Sequence, residues 1–376
     1  MEEWKTKYRN YLKNLLVMNI CLLILCGIHM NGVWENANPA EPTFSEYEAV
    51  PTVTKEAGKE EERKKVIPSG LPVGIYIETE GSLVLGTQSV KGIDGTMYEP
   101  AKHVVKSGDY IKKVNGKAIH SKEELMEIVK KEGKKPVVLQ LIRKNKIISV
   151  KINPVMSQEK EEYQLGIWVR DNSQGIGTMT YMSETAFAAL GHGIHDIDTG
   201  GMMVVNGGYI FSAKILSIKK GEKGKPGEMV GTVCYDFEHP YGTIKTNTTY
   251  GIYGKVEEEL QKQIKQEEVE IAKKTEVKKG KAYIRSAISG TLTDYEVNIV
   301  DVDATNRNLE KGMVIKITDK RLLSLTNGIV QGMSGTPILQ NGRLVGAITH
   351  VFVQDSTQGY GTFIENMLEQ SNKQEN

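Results

Sequence analysis

Cysteine is nearly absent from this chain. Three occur in 376 residues, and Cys21 and Cys26 lie within the first 34. Cys234 alone remains beyond them, which excludes an internal disulfide there and a cysteine cluster for zinc. As a lone cysteine among strand residues it reads as packing rather than as a nucleophile. An excess of charge is also missing: 48 Lys and Arg face 47 Asp and Glu, for a net charge of +1. No bulk field attracts nucleic acid, no nucleic-acid motif appears, and no cofactor is expected. Helix-forming stretches are few after the first quarter, whereas 38 glycines punctuate the chain. That combination predicts a mainly β protein.

One long apolar run exists, Leu15 to Ile28, preceded by Lys5, Lys7, Arg9 and Lys13. A basic flank before an apolar run keeps the positive end in the cytoplasm and sends the rest across the membrane. The run is shorter than the roughly 20 residues of a comfortable span. No clean small-x-small cleavage site follows, so residues 1–34 are expected to be a signal anchor rather than a cleaved signal peptide. Residues 35–66 are rich in Glu, Lys, Pro, Ala and Thr and read as a flexible tether.

Residues 67–153 carry the pattern of a small α+β unit. Strand-like runs are followed by Gly108-Asp109-Tyr110-Ile111-Lys112-Lys113-Val114-Asn115-Gly116-Lys117-Ala118-Ile119. Ser121-Lys122-Glu123-Glu124 is a capping box, and Leu125, Ile128 and Val129 give one apolar helix face. Val137–Arg143 and Ile147–Ile152 then form a hairpin around Lys144-Asn145-Lys146. This order resembles a PDZ domain. The resemblance implies that an extended peptide adds beside a sheet edge. It places the cradle for that peptide at Ser69, Gly70, Leu71 and Pro72, which lack the usual Gly-Leu-Gly-Phe run.

Residues 165–376 are mostly short strands and glycine turns, the pattern of a barrel or sandwich. Near their end, Gly332-Met333-Ser334-Gly335-Thr336-Pro337 leads into Ile338–Gln340, Asn341-Gly342 and Arg343–Ile348. Asn-Gly between apolar runs is a strong hairpin signal. Ser334 is therefore expected on a tight loop, whose glycines permit a sharp turn and expose backbone N–H groups.

A nucleophilic serine needs a base, and the base needs an orienting acid. His192 follows Ala188-Ala189-Leu190-Gly191 and precedes Gly193, a position partly buried yet open to a substrate. A packed structural histidine fits the same context. His192 and His195 with Asp196 or Asp198 offer a rival metal set, but His-x-x-His lacks helical i, i+4 spacing and has no adjoining glutamate. No metal is expected. Asp236, Asp294, Asp301, Asp303 and Asp319 all lie between His192 and Ser334, and spacing does not choose among them. His350 reads as a structural or subsite group.

Ala189-Leu190-Gly191-His192 followed late by Gly332–Pro337 resembles the trypsin-like proteases, with one element on each of two β-barrels. The apolar N-terminus and the PDZ-like unit narrow this further. Gly175–Thr180, Lys225–Met229, Gly328–Gln331, Thr349–Val353 and Gly359–Gly361 make the chain similar to the SpoIVB peptidase family of endospore-forming bacteria. The resemblance implies a trypsin-like double barrel preceded by a PDZ-like domain and a membrane segment. It implies a triad of His192, Asp319 and Ser334, with the amides of Gly332 and Ser334 as oxyanion hole. It further implies an exported, membrane-tethered serine endopeptidase between forespore and mother cell. Such an enzyme cleaves itself near its N-terminus and a membrane-bound regulator that restrains sigma-factor processing. A catalytically inactive PDZ-containing scaffold and a quality-control protease are the alternatives, although quality-control enzymes place the PDZ domain after the protease.

Overall fold

The computed structural model describes residues 63–263, 265–305 and 309–372. The expected membrane segment, and the tether up to residue 62, lie outside the described residues. Among the described residues no helix is long and apolar enough to cross a membrane.

Two six-stranded barrels carry the fold. The first closes through β2 (Pro72–Thr87), β6 (Ile167–Met182), β7 (Ala186–Ala189), β11 (Gly251–Val256), β10 (Gly242–Thr248) and β8 (Val205–Lys219), which pairs back onto β2. β1 (Lys65–Pro68) extends it beside β6, and β9 (Gly227–Val233) pairs with β8. The second closes through β12 (Gly280–Ser286), β13 (Thr293–Val302), β14 (Met313–Ile317), β18 (Gln358–Phe363), β17 (Arg343–Val351) and β16 (Pro337–Gln340). Helix α2 (Lys320–Thr326) and the short β15 (Val330–Gln331) link β14 to β16. Strand alternation fills each barrel. Val73, Ile75, Ile77, Met179 and Ile210 form the first core, and Ala282, Ile284, Val297, Ile315 and Ile338 belong to the second.

Tyr181, Ala188 and Tyr253 of the first barrel pack with Leu344 and Ala347 of the second. Ile364, Met367 and Leu368 of the C-terminal helix α3 (Ile364–Asn372) join this cluster. It welds the two barrels together.

The PDZ-like unit consists of the second half of β2, β3 (Tyr110–Val114), helix α1 (Lys122–Glu132), β4 (Val137–Arg143) and β5 (Lys146–Ile152). Its core holds Val84, Ile111, Val114, Leu125, Val129, Leu139 and Leu141. Half of the expected capping box forms: Ser121 Oγ accepts from the Glu124 amide at 3.2 Å, but Glu124 accepts from the amide of His120, one residue before the cap, at 2.9 Å rather than from that of Ser121.

This unit is not a bead strung before the barrels. β2 runs from barrel to PDZ-like core, bending at Gly81, whose φ is +87° and where a Cβ would lie 2.3 Å from the Ile111 carbonyl oxygen. β6 returns the same way, with a register shift between Arg170 and Asn172. Residues from 67 to about 80, read from sequence as the start of the PDZ-like unit, are thus barrel wall.

That placement removes the expected peptide cradle. Ser69 is buried, and its amide donates to the Thr180 carbonyl; the Gly70 amide donates to Met179. The carbonyls of Gly70 and Leu71 accept from Ala287 and Met179, and Pro72 starts β2 opposite Thr178. The backbone groups that would grip a carboxylate are already spent on both barrels.

Candidate active site

Ser334 lies in the loop between β15 and β16, and the first barrel holds that loop in place. The Thr178 amide donates to the Ser334 carbonyl at 3.1 Å, and the Thr178 hydroxyl donates to the Gly332 carbonyl at 2.7 Å. From the second barrel, the Gly335 amide donates to Ile348 at 2.8 Å and the Ile348 amide to Thr336 at 3.0 Å. Gly335 has φ +93°, and a Cβ there would sit 2.1 Å from the Thr178 carbonyl oxygen. Only glycine permits this approach of two backbones. Met333, fully buried, anchors the turn and accepts from the amide and hydroxyl of Thr336.

Of the loop amides, those of Met333, Gly335 and Thr336 donate within the fold. The Ser334 amide makes no such bond among the described residues. It is therefore available to a substrate oxygen, with the Gly332 amide two residues earlier.

His192 comes from the opposite barrel. After β7 the chain turns through two consecutive left-handed residues, Leu190 (φ +75°) and Gly191 (φ +68°). That turn delivers His192 to the cleft. Its Nδ1 lies 2.9 Å from the Gly193 carbonyl oxygen, so Nδ1 carries the proton and Nε2 is left as acceptor. This is the tautomer a general base needs. Burial lowers the His192 pKa below the ordinary histidine value. The Gly193 hydrogen bond and the charge of Glu310 oppose that shift, and His195 adds to it. The imidazole is accordingly neutral near pH 7.

His192 and Ser334 face one cavity of about 250 Å³, walled by Gln174–Gly177 of β6, Leu190, Ile194, Gln331 and Gly332. They do not bond to each other. The Ser334 hydroxyl donates instead to the Thr349 carbonyl at 2.7 Å. A hollow of about 660 Å³, lined by Tyr98, Lys134, Lys151 and Tyr163 among others, lies on the PDZ-like unit and holds neither residue.

The expected acid is elsewhere. Asp319 is the N-cap of α2, accepting from the Arg321 amide at 2.8 Å, from the Arg321 guanidinium at 2.7 Å and from the Glu296 amide at 3.2 Å. The Arg321 hydrogen bonds hold its carboxyl far below the usual range. β14 starts beside Gly361, the partner of Ile348 near the serine loop, and ends beside Thr357. Its five residues, at about 3.3 Å each, carry Asp319 away from the cleft. The physical reason is local: Asp before Lys-Arg-Leu-Leu is a helix-start signal, and the helix uses it. The other aspartates are committed as well. Asp236 bonds His239, Asp294 pairs with Arg285, Asp301 with Lys279, and Asp303 accepts from Thr305. None hydrogen-bonds His192.

The His350 ring lies 5.0 Å from that of His192, tilted by 34°. Although His350 is exposed at the surface, desolvation by the protein packed around its ring, then His192, Lys311 and His195, pulls its pKa down to about 4. His195 shares the Gly193 carbonyl at 3.1 Å, while Asp196 and Asp198 pair with Arg170. Thr178, Gly193, Thr349 and Glu310 are site residues that sequence reasoning missed. They act through backbone atoms or long-range pairing, for which no local pattern exists.

A family model described as SpoIVB peptidase S55 matches residues 161–368. No curated protein matches the chain. Among solved structures, the chain is similar to the active form of the Rv3671c protease from M. tuberculosis, at 13% identity and a TM-score of 0.30, covering 54% of this chain and 74% of that one. Its inactive form matches at 12% identity and 0.30, covering 53% and 83%. The PDZ domain of the SdrC-like protein from Listeria monocytogenes matches at 24% identity and 0.20, covering 24% and 87%.

Proposed function

This chain belongs to the SpoIVB peptidase S55 family, and from that membership we propose that it hydrolyses peptide bonds with Ser334 as nucleophile and His192 as general base. One observation carries the assignment of roles: two barrels each deliver one of these side chains to the same cavity. Rotation of the Ser334 side chain moves its hydroxyl from Thr349 towards Nε2 of His192. The hydroxyl oxygen attacks the substrate carbonyl as Nε2 takes its proton, and the Gly332 and Ser334 amides receive the oxyanion. His192 then passes the proton to the leaving amine, and water repeats the sequence on the acyl-enzyme. Meanwhile the Gly193 carbonyl keeps Nδ1 protonated and Nε2 available. Hydrogen bonds of this kind commonly tighten only when substrate arrives.

The family resemblance assigns the acid to Asp319, which would have to leave its helix cap and Arg321 to serve His192. Asp319→Asn keeps a capping side chain and removes only the charge. A fall in kcat of about 10,000-fold would place this carboxylate on His192 in the working enzyme. A change within about threefold would leave it a cap.

The same membership supports a finer reading: a membrane-tethered enzyme, exported between forespore and mother cell. It cleaves itself near the N-terminus and cuts a membrane-bound regulator that restrains sigma-factor processing. The test is the full chain carrying Ser334→Ala, expressed in sporulating cells. It should stay full-length in the membrane fraction and leave the sigma-factor precursor unprocessed. Processing at the normal rate would remove the signalling role.

A further inference from the structure

The edge groove of the PDZ-like unit already has an occupant. β2 has β3 on one side, with Ser82 opposite Ile111 and Leu83 opposite Tyr110. On its other side runs β6, antiparallel, with Ile167 opposite Thr87, Trp168 opposite Gly86, and Arg170 opposite Leu83. The Gln88 amide donates to the Gly166 carbonyl at 2.9 Å. A strand that adds to a sheet edge beside a helix is how PDZ-type grooves take extended peptides.

The side chains complete the match. Leu165 is 6% exposed and belongs to the same core as Leu125 and Val129 of α1, with Ile167 and Val169 packed against it. These alternate positions face the groove, as a strand's period of two requires. Only about 170 Å³ remains open between α1 and this segment. At one end of α1, Glu162 pairs with Lys130 at 3.0 Å. At the other, the buried Asp171 carboxylate accepts from the Lys122 amide at 2.8 Å, and Lys122 Nζ lies 3.7 Å away. A helix N-terminus has unsatisfied N–H groups that favour such an anion.

We infer that residues 162–171 are a built-in ligand of the α1–β2 groove, and that an extended peptide of the same chemistry is its competitor. That chemistry is apolar residues at alternate positions with a carboxylate two residues beyond the last. Tethering gives the internal segment an effective concentration near the millimolar range, so a free peptide enters only when the segment lets go. The segment and the cleft wall are one strand, since β6 continues through Gln174–Gly177 to Thr178, which holds the serine loop.

The test uses the full chain and a fluorescein-labelled, C-terminally amidated peptide of residues 160–172, read by anisotropy. One variant, Val169→Asp with Asp171→Ala, weakens the internal strand. A second, Thr87→Cys with Ile167→Cys, locks it by a disulfide between facing positions. We expect the weakened protein to bind the peptide at least about tenfold more tightly than wild type. The oxidised locked protein should not bind, and reduction should restore the wild-type level. Binding by the oxidised locked form, or no gain in the weakened one, would overturn the inference. Hydrogen exchange at β3 checks that the weakened unit stays folded. If β3 is unprotected there, Asp171→Asn alone takes its place under the same two outcomes.

Discussion

The hydroxyl of Thr178, on the first barrel, donates to the carbonyl of Gly332, on the second, at 2.7 Å. The Thr178 amide holds the Ser334 carbonyl at the same time. One buried threonine therefore fixes the serine loop relative to the barrel that brings His192. Thr178→Val removes one hydrogen bond and leaves the half-buried Gly332 carbonyl without its side-chain donor. It should cost about 1 kcal/mol of stability. Turnover should fall about tenfold, because the reacting atoms lose their register. Thr178→Ser should recover most of both. Urea unfolding and peptide-cleavage rates check this, and an unchanged rate in Thr178→Val would contradict it.

Gly335 makes the close approach possible. Gly335→Ala puts a methyl where 2.1 Å of room exists and forces a side chain onto φ +93°. Such strain costs on the order of 1–3 kcal/mol before any clash is counted. The expected outcome is a lower Tm together with loss of cleavage. A variant with wild-type Tm and rate would show that the loop does not sit on Thr178.

The histidines set the pH dependence of the reaction. His192 must be neutral to accept the serine proton, and its folded pKa lies below the ordinary 6.5. The acid limb of kcat/KM should therefore have its midpoint below pH 6.5. A midpoint above that value would mean that a carboxylate, not burial, dominates the His192 pKa.

His350 gives a separate effect on stability. Its folded pKa, about 4, is depressed from 6.5, so the unfolded chain binds more protons between these values. The contribution is present above pH 6.5 and is lost as pH falls towards 4. His350→Phe keeps a ring against His192 and removes the titration, so its Tm should decline less between pH 7 and 4.5 than that of wild type. Parallel declines would exclude His350 as a source.

Asp319 should report as a helix cap. Asp319→Ala should cost about 1 kcal/mol or more, and Asp319→Asn less, since it keeps the cap and loses only the charge paired with Arg321, by chemical denaturation at pH 7. Its depressed pKa makes the carboxylate's contribution present above about pH 4 and lost as pH falls. Equal destabilisation by Ala and Asn would assign the stability to charge alone.

Much of this was legible locally. Asn341-Gly342 announced a hairpin, and both residues have positive φ, 52° and 75°. The capping box at Ser121 gave the start of α1. Gly332–Pro337 and His192 stood out because their chemistry lies in short glycine-flanked segments. What escaped depends on partners far along the chain. Ser69–Pro72 reads as an open loop until β6 is placed beside it. Asp319 reads equally as an acid or a cap, since three-dimensional distance, not spacing, separates the two. The 16-residue strands β2 and β6 cross two cores. A pattern read over one face cannot show where a strand changes the core it serves.

The central claim is that Ser334 is a nucleophile activated by His192. The direct measurement is mass spectrometry of the full chain after reaction with a fluorophosphonate probe, with peptide cleavage followed in parallel. A single adduct should appear on Ser334, vanish in Ser334→Ala and fall sharply in His192→Ala, with cleavage lost by about a millionfold in either variant. Cleavage surviving in Ser334→Ala, or an adduct formed equally well without His192, would contradict it.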